Sequence, residues 1–137
     1  MTRLILAAGL FAATLTASLH AQTMNMQATI PFDFQIGSTV LPSGEYSIRH
    51  SGGVLFVKQT AGSHKGGLFL TVGEDRPAGA KAAGTLLFNR YGSTYFLSKV
   101  WSAESTEAQA TPKTAREKEL ASHIGQPGTT TVALRTK

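Results

Sequence analysis

The chain contains no cysteine. That excludes disulfides, thiol nucleophiles, cysteine zinc sites and redox pairs, and with them any lipid anchored on a cysteine. Small exported domains often lean on disulfides. This one has to rest on a buried core, and 137 residues are enough to build one. Charge is thin, with Asp, Glu, Lys and Arg making up 15% of the residues. Histidine is rare as well. The four (His20, His50, His64 and His123) include no pair at the i, i+2 or i, i+4 spacings that place two ligands on one face. The longest apolar run without charge, residues 4–15, falls short of the roughly 20 residues that span a membrane as a helix.

That short run has a meaning of its own. Arg3 precedes it, and Ser18-Leu19-His20-Ala21 follows with a small residue before Gln22. A positive start, an apolar stretch and a small residue at the cut form the order of a secretory signal peptide. The alternative is an uncleaved anchor. The organisation expected is a signal peptide over 1–21 and a single secreted β-rich domain over 22–137, periplasmic or extracellular. Removing Arg3 with the signal leaves twelve cations against eight acids, a net charge of +4. The cations, from Arg49, Lys58 and Lys65 through to Arg135 and Lys137, are spread along the chain. A nucleic-acid footprint would be a stripe or cluster, so no nucleic-acid partner is expected. Attraction to anionic cell-wall polymers or lipid head groups remains open.

Period-two alternation dominates what is left. From Gln27 to Ile36, Ala28, Ile30, Phe32, Phe34 and Ile36 alternate with polar positions, which reads as one half-buried strand. Pro31 on its polar side marks an edge or a bulge. Further strands are expected at 45–50, 54–58, 68–72, 84–90, 94–101 and 129–135. Turn residues separate them, including Pro42-Ser43-Gly44, Ser51-Gly52-Gly53 and Tyr91-Gly92-Ser93. On 94–101, strict alternation puts Tyr95, Leu97, Lys99 and Trp101 on one face and Phe96, Ser98 and Val100 on the other. Thr114 and Glu117 fit a capping box opening a short helix, which Gly125 and Pro127 end. The fold class expected is mainly β: a single antiparallel β-sandwich or barrel of about seven strands with one short C-terminal helix. A closed barrel would be able to hold a small apolar ligand.

Catalytic motifs are lacking. No serine sits in a G-x-S-x-G elbow, and Gly52-Gly53, Gly66-Gly67 and Gly73 read as turns rather than a phosphate loop. No catalytic residue, metal ligand or cofactor is assigned. The densest chemical feature is the aromatic run at Tyr91, Tyr95, Phe96 and Trp101. Large aromatics usually fill cores. If they form a binding surface instead, Tyr91, Tyr95 and Trp101 are the candidates for stacking on sugars or apolar ligands.

Three stretches carry a resemblance: PFDFQIGSTVLPSGEYSI at 31–48, LLFNRYGSTYFLSKVW at 86–101 and KTAREKELA at 113–121. In that order they resemble a group of small exported, uncharacterised proteins abundant in acidobacterial genomes. Their pattern is PFDF-x-(V/I)-G, LP-x-G-x-Y, F-x-RYG-x-x-YFL-x-x-VW and R-E-x-E-L-A. Asn89 stands where the pattern has histidine. The resemblance implies a secreted β-rich domain and no particular activity. The function expected is a non-catalytic exported β-domain, a binding or structural module whose partner is a cell-envelope glycan, lipid or protein. The alternative is a small hydrolase with His50 or His64 as base, assisted by Asp33, Glu45 or Glu74.

Overall fold

The computed structural model describes residues 24–79, 83–103 and 105–136; the signal peptide expected over 1–21 lies outside them. Alternating apolar residues and closely spaced turns produce β1 (Met24–Ile30), β2 (Phe34–Ile36), β3 (Thr39–Leu41), β4 (Gly44–Ser51), β5 (Val54–Gln59) and β6 (Gly66–Leu70). There follow β7 (Val72–Asp75), β8 (Thr85–Tyr91), β9 (Thr94–Trp101), β10 (Glu107–Ala110), α1 (Ala115–Ile124), β11 (Gly128–Ala133) and β12 (Arg135–Thr136). One sheet has the order β12-β1-β4-β5-β6. The other runs β11-β8-β9-β10-β7, with β2 joined to β9 and β3 to β2. The pairings are antiparallel except β2 with β9. Neither sheet closes on itself, so the architecture is a sandwich and not the barrel. Among the described residues, no helix is long and apolar enough to cross a membrane.

The expected strand over 27–36 is two strands in two sheets. Pro31, which donates no backbone hydrogen bond, lies exposed at the crossover. Alternation persists through the break because both sheets face one core. Met26, Ala28 and Ile30 enter it from one side, Phe34 and Ile36 from the other. Phe34 meets Tyr46 edge-on at 5.2 Å, which ties the two layers together. The turn at Ser51-Gly52-Gly53 forms as expected, with φ of 57° and 77° at the two glycines, a conformation that costs other residues dearly. The strand count is twelve among the described residues rather than about seven. The surplus comes from short pieces such as β3, β7, β10 and β12, which carry little apolar alternation. Gly66-Gly67 and Gly73, read as turns, lie inside β6 and β7.

β9 departs most from strict alternation. Leu87 pairs with Lys99, but the next residue, Phe88, pairs with Leu97. Ser98 is therefore an extra residue, a β-bulge. Thr111 holds the bulge: its backbone N–H donates to the Ser98 carbonyl at 2.9 Å, and its hydroxyl donates to the Leu97 carbonyl. The bulge reverses the faces beyond it. Leu97 and Val100 both join the core between the sheets. Trp101 pairs with Thr85 and Phe96 with Asn89 on the outer side, where Asn89 meets the helix through Glu117.

Helix α1 starts where the capping box predicts. Thr114 takes a β-region φ of −79°, and its side chain accepts from the Glu117 backbone N–H. The helix crosses the outer face of β8. Its buried side chain is an acid: Glu117 is 5% exposed. The carboxylate accepts from the Asn89 amide at 2.9 Å and from the Tyr91 hydroxyl at 3.2 Å.

Candidate functional site

The three aromatic candidates do not form one platform. Tyr91 is buried against Phe96 and Glu117. Burial, followed by the Glu117 charge and hydrogen bond, pushes its phenol above the ordinary value. Trp101 is 4% exposed, and its indole N–H has no hydrogen-bond partner among the described residues. Tyr95 is half-buried and stacks on Phe32 at 3.9 Å, on the opposite face of β9. It lines a small depression of about 170 Å³ beside Asp33 and Val40. Trp101 should therefore emit at short wavelength and resist acrylamide. A red-shifted, readily quenched signal would show that the β9 register is wrong.

The histidine–carboxylate candidates are held apart by other partners. Half-buried His50 contacts the Thr71 hydroxyl through Nε2 at 3.2 Å, and burial lowers its pKa from the usual imidazole value. Asp33 accepts the Ser43 backbone N–H at 2.9 Å, which shapes the turn before β4. Glu45 meets Arg135 at 3.3 Å and Glu74 meets Lys99 at 2.8 Å. Among the described residues, no hydrogen bond or ion pair joins His50 or His64 to any of these acids. No group of three metal-ligating side chains occurs among them either.

Pairing of β1, β4, β5 and β6 builds a different site. The ladder sets Asn25 opposite Arg49, Arg49 opposite Phe56 and Phe56 opposite Leu68. It also sets Ser47 opposite Lys58 and Lys58 opposite Gly66. All these positions face outward, because Ile48, Leu55 and Val57 between them point into the core. The result is an open groove of about 460 Å³. Arg49, Lys58 and His64, with Asn25 and Ser47, provide its polar lining, and Phe56 and Leu68 its apolar side. Gly66 carries no side chain to fill it.

The groove is positively charged without an internal counterion. None of its lining residues is acidic, and among the described residues neither Arg49 nor Lys58 has a carboxylate partner. The Arg49 guanidinium lies 4.5 Å above the Phe56 ring, an arrangement that orients it while leaving its N–H edge open. Arg49 and Lys58 are cross-strand diagonal neighbours, about 7–8 Å apart at the backbone. One oxyanion can sit between such a pair, with the planar guanidinium offering two parallel donors. Another depression, of about 420 Å³ between β7, β9 and the helix, differs in kind. Its Lys99 is already neutralised by Glu74.

Sequence reading missed this cluster. Arg49, Lys58 and His64 fall on two strands and a loop and look like scattered surface charge. The available signal was the Ser51-Gly52-Gly53 hairpin, which fixes Arg49 across from Phe56 once the turn is recognised. No family model matches the chain, and no curated protein or solved structure shows significant similarity to it.

Proposed function

We propose that this protein is an exported, non-catalytic binding module that takes an anionic component of the cell envelope in the groove over β4, β5 and β6. The observation that carries the reading is the pair Arg49 and Lys58, two cations with no acid among the groove's lining residues. Export rests on the order of parts in residues 1–21. A binding role is favoured over hydrolysis because Asp33, Glu45 and Glu74 serve Ser43, Arg135 and Lys99 rather than a histidine. Pockets of roughly 300–1,000 Å³ suit small ligands, and the groove falls within that range.

The test compares matched ligands by isothermal titration. Oligosaccharides of glucuronate are set against those of glucose, and phosphatidylglycerol against phosphatidylcholine. Charged members should bind more tightly. Joint Arg49→Gln and Lys58→Gln replacement should weaken that binding at least tenfold, and moderate salt should weaken it too. Equal binding of charged and neutral members, or none by either, would sink the reading.

A further inference from the structure

The outer face of this sheet is graded, and the gradient runs in one direction. At one end, Lys58 stands opposite Gly66, with Ser47 on its other side. The middle row is mixed: the Arg49 cation lies over Phe56, and Leu68 stands beyond. The next row pairs Val54 with Leu70. Leu68 is 67% exposed and Leu70 75% exposed, on a strand with no charged residue of its own. Alternate residues on a strand lie about 6.8 Å apart, and neighbouring strands about 4.8 Å. Cation pair and leucine pair are therefore separated by roughly the length of a medium hydrocarbon chain.

Exposed leucines on an edge strand need an explanation, because such edges invite unwanted pairing. The edge of the other sheet is guarded differently, since β7 carries Glu74 and Asp75. Leu68 instead lines the groove that holds the cation pair, and Leu70 follows it on the same face of β6.

Resting on the binding reading above, we propose that the groove's ligand is a single-chain amphiphile. Its carboxylate or phosphate head sits between Arg49 and Lys58, and its hydrocarbon chain lies along Leu68 and Leu70. Charge complementarity fixes the head, because two unneutralised cations favour one anion. The leucine row fixes the tail, because covering it removes apolar surface from water at about 25 cal/mol per Å². The ligand is a monomer entering the groove, not a bilayer surface.

The experiment titrates the whole purified protein with laurate below its micelle concentration. Parallel arms use propionate, which has the head without the tail. Dodecyl maltoside supplies the tail without the charge, and phosphatidylglycerol vesicles supply the headgroup within a membrane. Laurate should bind saturably at one per chain, with propionate and dodecyl maltoside each at least tenfold weaker. Joint R49Q and K58Q replacement should weaken laurate at least tenfold. L68S with L70S should weaken laurate but leave propionate unchanged; both pairs are exposed, and circular dichroism checks that they fold. Equal binding of laurate and propionate would overturn the tail, and equal binding of laurate and dodecyl maltoside would overturn the head. Binding to vesicles without binding to monomeric laurate would overturn the proposal in favour of a membrane surface. If glucuronate oligomers bind through Arg49 and Lys58 while laurate does not, the amphiphile fails and the binding reading stands. If no anion binds, both fall.

Discussion

Glu117→Ala should destabilise the protein by about 2–4 kcal/mol, through one buried and one half-buried donor left without an acceptor. Asn89 and Tyr91 both give their hydrogen to this carboxylate, and the helix shuts water away from it. Little else holds α1 in place. It has ten residues, shorter than the roughly 12–15 at which isolated helices become even marginal. Its last apolar residue, Ile124, is 53% exposed. Glu117→Gln keeps one carbonyl acceptor and should cost less. Lys118→Ala, one position along on the exposed side, should stay within about 0.5 kcal/mol. Urea unfolding reads the difference as a lower midpoint at unchanged slope. An E117A midpoint equal to that of K118A would mean the buried carboxylate does not hold the helix.

The same contact has an alkaline signature. The Tyr91 phenol is raised above 10 in the folded state, first by burial and then by the Glu117 charge and hydrogen bond. A folded pKa above the unfolded one means the folded state holds the proton more tightly. That stability is fully present below pH 10 and is lost as pH rises through the folded value. Tyr91→Phe should flatten this decline, although buried Tyr46, raised by burial and by Asp33, leaves part of it in place.

Gly66→Ala should be the most damaging glycine-to-alanine exchange in the strands of the five-stranded sheet. A Cβ on Gly66 would lie 2.2 Å from the Val57 carbonyl oxygen and 2.8 Å from the Lys58 Cα. Both are backbone atoms and cannot swing aside, so β6 has to move away from β5. Overpacking of this kind costs about 1–3 kcal/mol. Gly128→Ala is the control, because the nearest atom to its added methyl is the Arg90 carbonyl oxygen at 4.0 Å. Hydrogen exchange should show the β6 amides opening in G66A and not in G128A. The groove should suffer with the strand, since Leu68 and Gly67 line it. A G66A protein with intact β6 protection would refute the close approach.

How much of this was legible in the sequence depends on the length scale. Alternation within a strand was readable at Tyr46 and Ile48, and the hairpin turns were readable from their glycines. The helix start was readable from Thr114. Events that break alternation were not. Ser98 resembles any other polar strand residue, and only its partner across the ladder makes it a bulge. With the bulge unseen, Lys99 and Trp101 were put on the face of Tyr95 and Leu97, whereas Trp101 lies on the other side. The capping box at Thr114 and Glu117 was half right. The backbone bond forms, but the acid turns inward to Asn89 and Tyr91. That choice depends on residues 26 and 28 positions away, which no local pattern encodes. Strand β10, EAQA, alternates only through two alanines, a signal too short and weak to read, and it is held between β7 and β9. The groove was hidden for a related reason. Its charge is a property of register, and register is set by turns and by the core rather than by the cations themselves.

The last strand, β12, has a temporal consequence. Met26 stands opposite Thr136 and Gln27 opposite Arg135, so part of the β1 edge is covered by residues more than a hundred positions away. Folds dominated by such distant pairings take roughly milliseconds to seconds to form. Until residues 135 and 136 have been made, β1 keeps a bare edge. A chain proposed to cross a membrane in the unfolded state gains from that delay. Strand β12 acts as a latch on β1, closing that edge only after more than a hundred intervening residues have been released.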